Sequence, residues 1–240
     1  MRDRGDEMEA LADAVRSELD AVNRAREVAL AACRRTIRAC GSSIRAVHRL
    51  EGDRAEALRG EALVALREAQ AAVLPYPAVG YAGFVHDAEK EYAEAVLTAA
   101  LVAGSPLQGP LEIGVGVPAW LNGMAEAASE LRRHLLDRLR AGELAEAERL
   151  LGEMSEVYDL LVGFDYPDAV TAGLRRTADA LRAVLERTRS DLTTSILQAR
   201  LQAALGTRLV AEGVVAGPPD PVPDPVPDLD PGAGLSSAGA

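Results

Sequence analysis

Two pairs of glutamates in this sequence have a spacing that suits the binding of a divalent cation. Glu91 and Glu94 are three residues apart in KEYAEA. Glu126 and Glu130 are four residues apart in LNGMAEAASELRR. On a helix, either spacing places both carboxylates on one face. Oxygen ligands with no nearby cysteine and no Glu-x-x-His pairing favour Mg²⁺ or Mn²⁺ over zinc or a di-iron centre. The pattern therefore indicates a metal site suited to phosphoryl chemistry.

The spacing of these pairs does not by itself distinguish a metal site from a solvated helix surface. Glu153 and Glu156 are three residues apart, like Glu91 and Glu94, on a segment with the pattern of an exposed helix. The surroundings of the second pair are more informative, because residues 119–129 are small or apolar apart from Asn122 and Glu126. A carboxylate in that setting is expected to be buried. A buried anion must be protonated, paired or bound to a metal, and clustered carboxylates repel one another unless a cation intervenes.

A second charged feature is a stripe of arginines on the first predicted helix. At 100° per residue they share a narrow sector, which contains Arg34, Arg38, Arg45 and Arg49. The opposite sector is apolar and contains Cys33, Ile37, Cys40, Ile44 and Val47. Acids are absent from the stripe, so its guanidinium groups are free to bind phosphates. An ordinary solvated face is the alternative interpretation.

The elements that must position these residues are helices. Ala, Leu, Glu and Arg dominate the 240 residues, whereas aromatic residues make up 3%, a composition that favours helices over sheets. Breaks rich in glycine and proline divide the helical periodicity. They define six helices. The first ends near residue 50, and the other five span about 54–74, 81–103, 118–142, 143–163 and 168–205. We therefore predict an all-α fold of long antiparallel helices over residues 1–208.

Composition changes sharply toward the end of the sequence. From Gly217 a Pro/Asp repeat begins that has too little apolar content to order itself, so residues 209–240 are predicted to form a disordered acidic tail. The net charge of −11 argues against a nucleic-acid partner at first sight. The charges are segregated, however, because the 24–49 region holds seven arginines and one acid, whereas residues 212–240 hold five acids and no base.

The sequence also bears on the location of the protein. No apolar run is long enough to span a membrane, and the N-terminus MRDRGDEMEA is unlike a signal peptide. Cys33 and Cys40 are separated by roughly 10 Å along the predicted helix, too far to form a disulfide. We read both as reduced core residues of a cytoplasmic protein without membrane contact.

Four segments together resemble the translin and translin-associated factor X (Trax) family. They are RTIRACGSSIRAVHR, KEYAEAV, WLNGMAEAASELRRHLLDRLRAGELAEAERLLGEMSEVYDLL and GLRRTADALRAVLERTRSDL. The likeness covers about residues 34–192 and rests on agreement in order, spacing and helix pattern. It implies a helical bundle of about seven helices, with a short helix within 107–113 that the breaks do not reveal. It also implies a closed homo-oligomer larger than a dimer, with RNA bound inside.

The resemblance also assigns roles to residues. The four glutamates match the nuclease-type subunit of the family, which implies metal-binding and catalytic roles for Glu91, Glu94, Glu126 and Glu130. One departure is that Glu126 stands where the animal nuclease subunits carry Asp, which keeps the ligand type but lengthens the side chain. The predicted RNA-binding residues are Arg34, Arg38, Arg45, Arg49 and Arg133.

Three functions follow from these observations. The first is a Mg²⁺- or Mn²⁺-dependent endoribonuclease that cleaves single-stranded RNA. The second is an oligomer that binds single-stranded RNA or DNA without cutting it, and the third is a helical scaffold with no nucleic-acid role. Two further residues are expected to have structural rather than functional roles. His134 is expected on the helix surface, and Tyr92 in the core or an interface.

Overall fold

The computed structural model describes residues 4–211, with side chains as far as 208. Six long helices account for most of this range: α1 (Arg4–His48), α2 (Gly52–Val73), α4 (Phe84–Ala103), α6 (Val117–Arg140), α7 (Leu144–Val162) and α9 (Leu174–Ala211). Three helices of one turn lie between them: α3 (Pro77–Gly80), α5 (Pro110–Ile113) and α8 (Asp168–Thr171). No strand occurs within residues 4–211. The all-α prediction is confirmed.

The predicted breaks lie close to the helix ends of the structure. The short helix expected within 107–113 is α5, which begins at Pro110. The predictions missed α3 and α8, which are single turns that begin at or directly after a proline and are too short to have a periodicity of their own. At Gly104, a left-handed backbone with φ of 62° ends α4, as glycine commonly does after a helix.

Helices α1 and α2 form an antiparallel hairpin. Ser43 Oγ donates to the carbonyl of Ala55 near the turn, while Thr36 Oγ donates to the carbonyl of Ala62 further from it. Both hydroxyls are buried, and these hydrogen bonds satisfy them. Alanines on both helices allow this close contact, since Ala32, Ala62 and Ala69 are fully buried.

Helices α4 and α6 lie side by side and run in the same direction. The connection of residues 104–116 carries the chain back from the end of α4 to its beginning, where the amide of Gly116 donates to Glu89 at 3.0 Å. At the other end of the pair, the guanidinium of Arg149 on α7 donates to the carbonyls of Leu101 and Val102. The two helices that carry the glutamate pairs are therefore direct neighbours in register.

The core is built mainly from leucine, alanine and valine along the inner faces of the long helices. The largest fully buried side chains include Leu66, Leu97, Met124, Leu131 and Leu181. Helix α9 packs on this core through every third or fourth residue from Leu174 to Leu192. Cys33 and Cys40 are buried and unbridged, and Tyr92 is buried as expected.

The chain divides into two compact units, residues 1–196 and 197–240. In the first unit, the beginning of α1 carries a stripe of exposed apolar side chains, whose exposed fractions are 58–62% for Met8, Leu11, Val15 and Leu19. In the second unit, the described residues are the end of α9. The predicted tail lies outside the described residues except for 209–211. Among the helices of residues 4–211, none combines the length and apolarity needed to cross a membrane.

Candidate metal centre and nucleic-acid interface

Gly123 allows α6 to approach α4 more closely than any other residue type would. A Cβ atom at this position would lie 2.7 Å from the carbonyl oxygen of Lys90 and 2.8 Å from the Cβ of Ala93. Both distances are below ordinary van der Waals contact, and one obstacle is backbone that cannot rotate away. The missing side chain therefore lets the α6 backbone lie directly against α4 beside its glutamate pair, three residues before Glu126.

This approach brings three of the four predicted glutamates together. Carboxylate oxygens of Glu91, Glu94 and Glu126 all lie within 4.8 Å of one another. We call these three residues the carboxylate cluster. Two of them come from one face of α4 and the third from the facing side of α6. Oxygen atoms at such separations can contact one divalent ion.

Glu94 is the most deeply buried member of the carboxylate cluster. Its exposed fraction is 8%, whereas the Glu126 side chain is 34% exposed. The apolar setting of Glu126 in the sequence suggested the opposite order. Burial and the charges of Glu91, Glu126 and Glu130 together raise the pKa of Glu94 to about 8. Burial also raises the pKa of Glu91. The ionised form of Glu94 is therefore disfavoured unless further positive charge is brought to the cluster.

Lys90 supplies the main positive charge at the carboxylate cluster. Its Nζ donates to both oxygens of Glu126, at 2.7 and 2.6 Å, and lies 3.8 Å from Glu91 Oε1. Burial disfavours the ammonium, but the hydrogen bond to Glu126 and the surrounding carboxylate charges outweigh it, so the pKa of Lys90 is raised. From the sequence, clustered carboxylates were expected to need a cation, and Lys90 supplies part of that positive charge.

Glu130 stands apart from the other three predicted ligands because it is paired with a histidine. His48 Nε2 donates to Glu130 Oε2 at 2.9 Å, the only direction open to an ionised carboxylate. This hydrogen bond lowers the pKa of Glu130. The charge of Glu130 still acts on Glu94. Glu130 therefore lies beside the carboxylate cluster, ionised and held in place from α1.

His48 belongs to a buried histidine pair that the sequence analysis did not identify. Its ring centroid lies 6.3 Å from that of His134, and the planes differ by 30°. The expectation that His134 lies on the helix surface is wrong, since its exposed fraction is 3%. One turn before His48, Ile44 belongs to the apolar sector of α1, so helical spacing could have placed His48 on the buried face.

The arginine stripe is exposed as predicted. Arg34, Arg38, Arg45, Arg49 and the α6 residue Arg133 are all exposed. Within the part of the chain that the structure describes, none of the five forms an ion pair with a carboxylate. The stripe ends at Arg49, directly after His48, and Arg133 is near enough to Glu130 to lower its pKa. Cationic surface therefore adjoins the acidic site.

The donor set of the carboxylate cluster fits Mg²⁺ or Mn²⁺. All three groups are carboxylates, which hard divalent cations prefer, and the cluster lacks the sulfur and imidazole donors typical of zinc. A glutamate whose pKa is raised to about 8 by burial and by neighbouring carboxylates marks a place where a further positive charge would be stabilising. Three protein oxygens would also leave coordination positions for water and a substrate.

A parallel pair of helices that presents clustered carboxylates beside an arginine-rich helix defines a helical protein with an acidic site that could hold a metal ion. Two solved structures of the C3PO (translin/Trax) protein of Archaeoglobus share this fold. One, titled as a complex with duplex RNA, has 32% identity and a TM-score of 0.72. The other has 33% identity and a TM-score of 0.73. Each alignment covers 79% of this chain and 98% of the other. The chain belongs to the translin/Trax family.

More distant comparisons agree on the fold. The apo C3PO structure from Nematostella has a TM-score of 0.70 at 17% identity, over 77% of this chain and 96% of that one. An uncharacterized protein of Methanocaldococcus jannaschii is 29% identical over 126 residues, or 52% of this chain. The chain thus spans 56% of the length of that curated relative. No family model matches the sequence.

The close approach at Gly123 yields a prediction about stability. The Gly123→Ala variant should lower the free energy of unfolding by about 1–3 kcal/mol, because the added methyl group forces α4 and α6 apart. Urea unfolding followed by circular dichroism measures this. Gly152→Ala is the matched control, since Gly152 lies in α7 with nothing within 4 Å of an added Cβ, and we expect it to be neutral or stabilising. Equal effects of the two substitutions would contradict the close-contact explanation.

The raised pKa of Glu94 predicts how stability depends on pH. Unfolded Glu94 loses its proton near its usual pKa of 4.5, whereas folded Glu94 keeps its proton up to about 8. Between these values the folded state binds more protons, so Glu94 makes stability fall as pH rises, and its full penalty is present above 8. In EDTA, Glu94→Gln should therefore gain stability relative to wild type by roughly 2–4 kcal/mol between pH 4.5 and 8.5.

Urea unfolding at pH 4.5, 6.5 and 8.5 tests this pH dependence. Glu56→Gln on the exposed side of α2 is the control for removing one carboxylate, and its difference from wild type should stay nearly constant. If the difference between Glu94→Gln and wild type is the same at all three pH values, then Glu94 does not titrate as its surroundings indicate.

Proposed function

We propose that this protein is a metal-dependent endoribonuclease that cleaves single-stranded RNA. The observation that carries the proposal is the convergence of three carboxylates from two helices, with Glu94 buried among them and only partly compensated by Lys90. In a structural ion-pair network each carboxylate has a cationic partner, whereas here burial and neighbouring carboxylates raise the pKa of Glu94 to about 8. A divalent cation at the cluster would allow Glu94 to ionise, which suits a metal-binding site.

The proposed ligands of the cation are Glu91, Glu94 and Glu126, with Glu130 as a fourth carboxylate beside them. When bound, Mg²⁺ or Mn²⁺ would activate water and offset charge on the scissile phosphate. The protein's own part is to hold the carboxylates in position. Glu130 enters this arrangement already ionised, because His48 donates to its Oε2. Its second oxygen is then available to accept a proton from an attacking water.

The proposed RNA-binding surface is the arginine stripe together with Arg133. Guanidinium groups without carboxylate partners bind phosphate oxygens well, often through two parallel hydrogen bonds. The stripe contains no aromatic side chains on which bases could stack. We therefore expect it to contact the RNA backbone and to discriminate little between sequences. The relative solved with duplex RNA supports an RNA ligand, and duplex RNA should be tested beside single-stranded RNA.

A homo-oligomer larger than a dimer is part of the proposal. The exposed apolar stripe at the beginning of α1 supports it, because Leu11, Val15 and Leu19 recur every fourth residue with about 60% of each side chain exposed. A helix face of this kind is usually covered by another surface. Association of identical chains would form closed symmetry and enclose the RNA.

The main alternative is a family member that binds single-stranded RNA or DNA without cleaving it. The arginine stripe serves both functions equally, so the alternative differs only in the role of the carboxylate cluster. In a purely binding protein, clustered acids near the nucleic acid would weaken affinity with no compensating function. The cluster therefore favours the nuclease over the binding module.

The metal-dependent mechanism predicts that Glu126→Gln abolishes cleavage of single-stranded RNA and leaves RNA binding intact. The substitution keeps the size of the side chain but removes the negative charge by which Glu126 would bind the divalent cation. The measurement is a denaturing gel with Mg²⁺, Mn²⁺ or EDTA, and filter binding gives the affinity. We expect a loss of cleavage rate on the order of 100-fold or more.

Glu153→Gln on α7 is the control for Glu126→Gln, because it removes a glutamate that lies outside the carboxylate cluster. It should cleave at the wild-type rate. Wild-type cleavage by Glu126→Gln, or cleavage that persists in EDTA, would refute the metal-dependent mechanism. The same gel with duplex RNA determines which form of RNA is the substrate.

The arginine stripe predicts a separate effect on binding. Replacing Arg34, Arg38, Arg45 and Arg49 together with Gln should weaken RNA affinity and flatten its dependence on salt. Fewer counterions are then released per complex, so the slope of log affinity against log salt should fall by up to about three for single strands. Filter binding between 50 and 300 mM salt measures this slope.

A matched control replaces four arginines that already have carboxylate partners, namely Arg16, Arg26, Arg54 and Arg189. It changes the net charge equally and should alter the slope much less. Light scattering should give the same mass for both variants and wild type, above that of a dimer. If the two quadruple variants lose affinity equally, net charge rather than the stripe governs binding.

A further inference from the structure

Lys90 is the only lysine in the sequence, and it lies at the carboxylate cluster. Its ammonium contacts both oxygens of Glu126, with Nζ to Oε1 and Oε2 distances of 2.7 and 2.6 Å. The same nitrogen is 3.8 Å from Glu91 Oε1. A single point charge thus contacts one carboxylate from α6 and approaches another from α4. This is the kind of position that a bound cation would take.

Neighbouring charges indicate that Lys90 has no substitute at the cluster. Among the described residues, it is the cation whose charge acts on both Glu91 and Glu94 to favour their ionised forms. Arg133 acts instead on Glu130. Without Lys90, the carboxylates of the cluster would face one another with no nearby positive group. Like charges at these distances repel strongly where water is partly excluded.

We propose that Lys90 is an internal counter-ion, which occupies the cation position in the metal-free protein and competes with the divalent ion for Glu126. This inference rests on the proposed metal site. The ammonium engages both oxygens of Glu126, and a divalent cation beside it would repel the ammonium, so coordination by Glu126 favours movement of Lys90 away from it. The lysine therefore stabilises the metal-free fold and, for the same reason, weakens metal binding.

The side chain of Lys90 is suited to such an exchange. Its four-carbon stem is flexible, and 21% of the side chain is exposed, which leaves a path toward solvent. A guanidinium in its place would form a more rigid, planar pairing with the carboxylate. Every other position with Lys or Arg in this chain is arginine. The use of lysine at position 90 is consistent with a side chain that a metal ion displaces.

The test measures Mn²⁺ affinity by calorimetry on the full-length, EDTA-stripped protein. Lys90→Met, which keeps the stem and removes the charge, should bind Mn²⁺ on the order of tenfold more tightly than wild type. Its melting temperature without metal should be lower, and its rise on adding Mn²⁺ larger. Arg35→Gln is the matched control, since it removes one positive charge from an ion pair between helices, with Glu68. Its Mn²⁺ affinity should match wild type.

The outcomes separate this inference from the proposed function. If Lys90→Met binds Mn²⁺ with wild-type or weaker affinity, the counter-ion role is refuted while the metal site stands. If neither wild type nor Lys90→Met binds Mn²⁺, the proposed metal site itself fails, and the inference with it. Should Lys90→Met not fold without metal, Lys90→Gln replaces it, and the same increase in affinity is required.

Discussion

The close contact between α4 and α6 at Gly123 is the constraint on which the site depends. The absence of a side chain there lets one backbone lie against the other, and the parallel course of the helices places their glutamate pairs in register. Apolar packing of the surrounding core holds this arrangement, because side chains such as Leu97 and Leu131 are fully buried. The fold thus forces together carboxylates that would otherwise repel one another.

The protein compensates its carboxylates in three different ways. Glu94 is buried deeply enough to retain a proton at neutral pH. Glu126 is paired with the ammonium of Lys90, and Glu130 accepts a hydrogen bond from His48. The first two solutions are reversible, since a proton or an ammonium can be exchanged for another cation. The third fixes Glu130 in place. Such a site could hold a divalent cation, and each of its carboxylates has a proton or a partner without one.

Helix α1 connects the acidic site with the basic surface. Its outer face carries the exposed arginines, while its inner face packs on α2 and α4. Its last residue, His48, holds Glu130, and the next residue, Arg49, is the end of the arginine stripe. One helix therefore supports the carboxylates and presents the exposed arginine stripe. This arrangement explains how a chain with a net charge of −11 can still offer a cationic surface.

The sequence by itself determined the features that depend on near neighbours along the chain: the six long helices, the shared face of each glutamate pair and the outward arginine stripe. Helical periodicity encodes all of these. Tertiary structure alone decided which carboxylate is buried, the pairing of Lys90 with Glu126, and the pairing of His48 with Glu130 and His134. These depend on contacts between residues 36 to 86 positions apart. The spacing of residues within one helix does not determine which helices pack against each other. The partners of the glutamates could therefore be identified only in the folded protein.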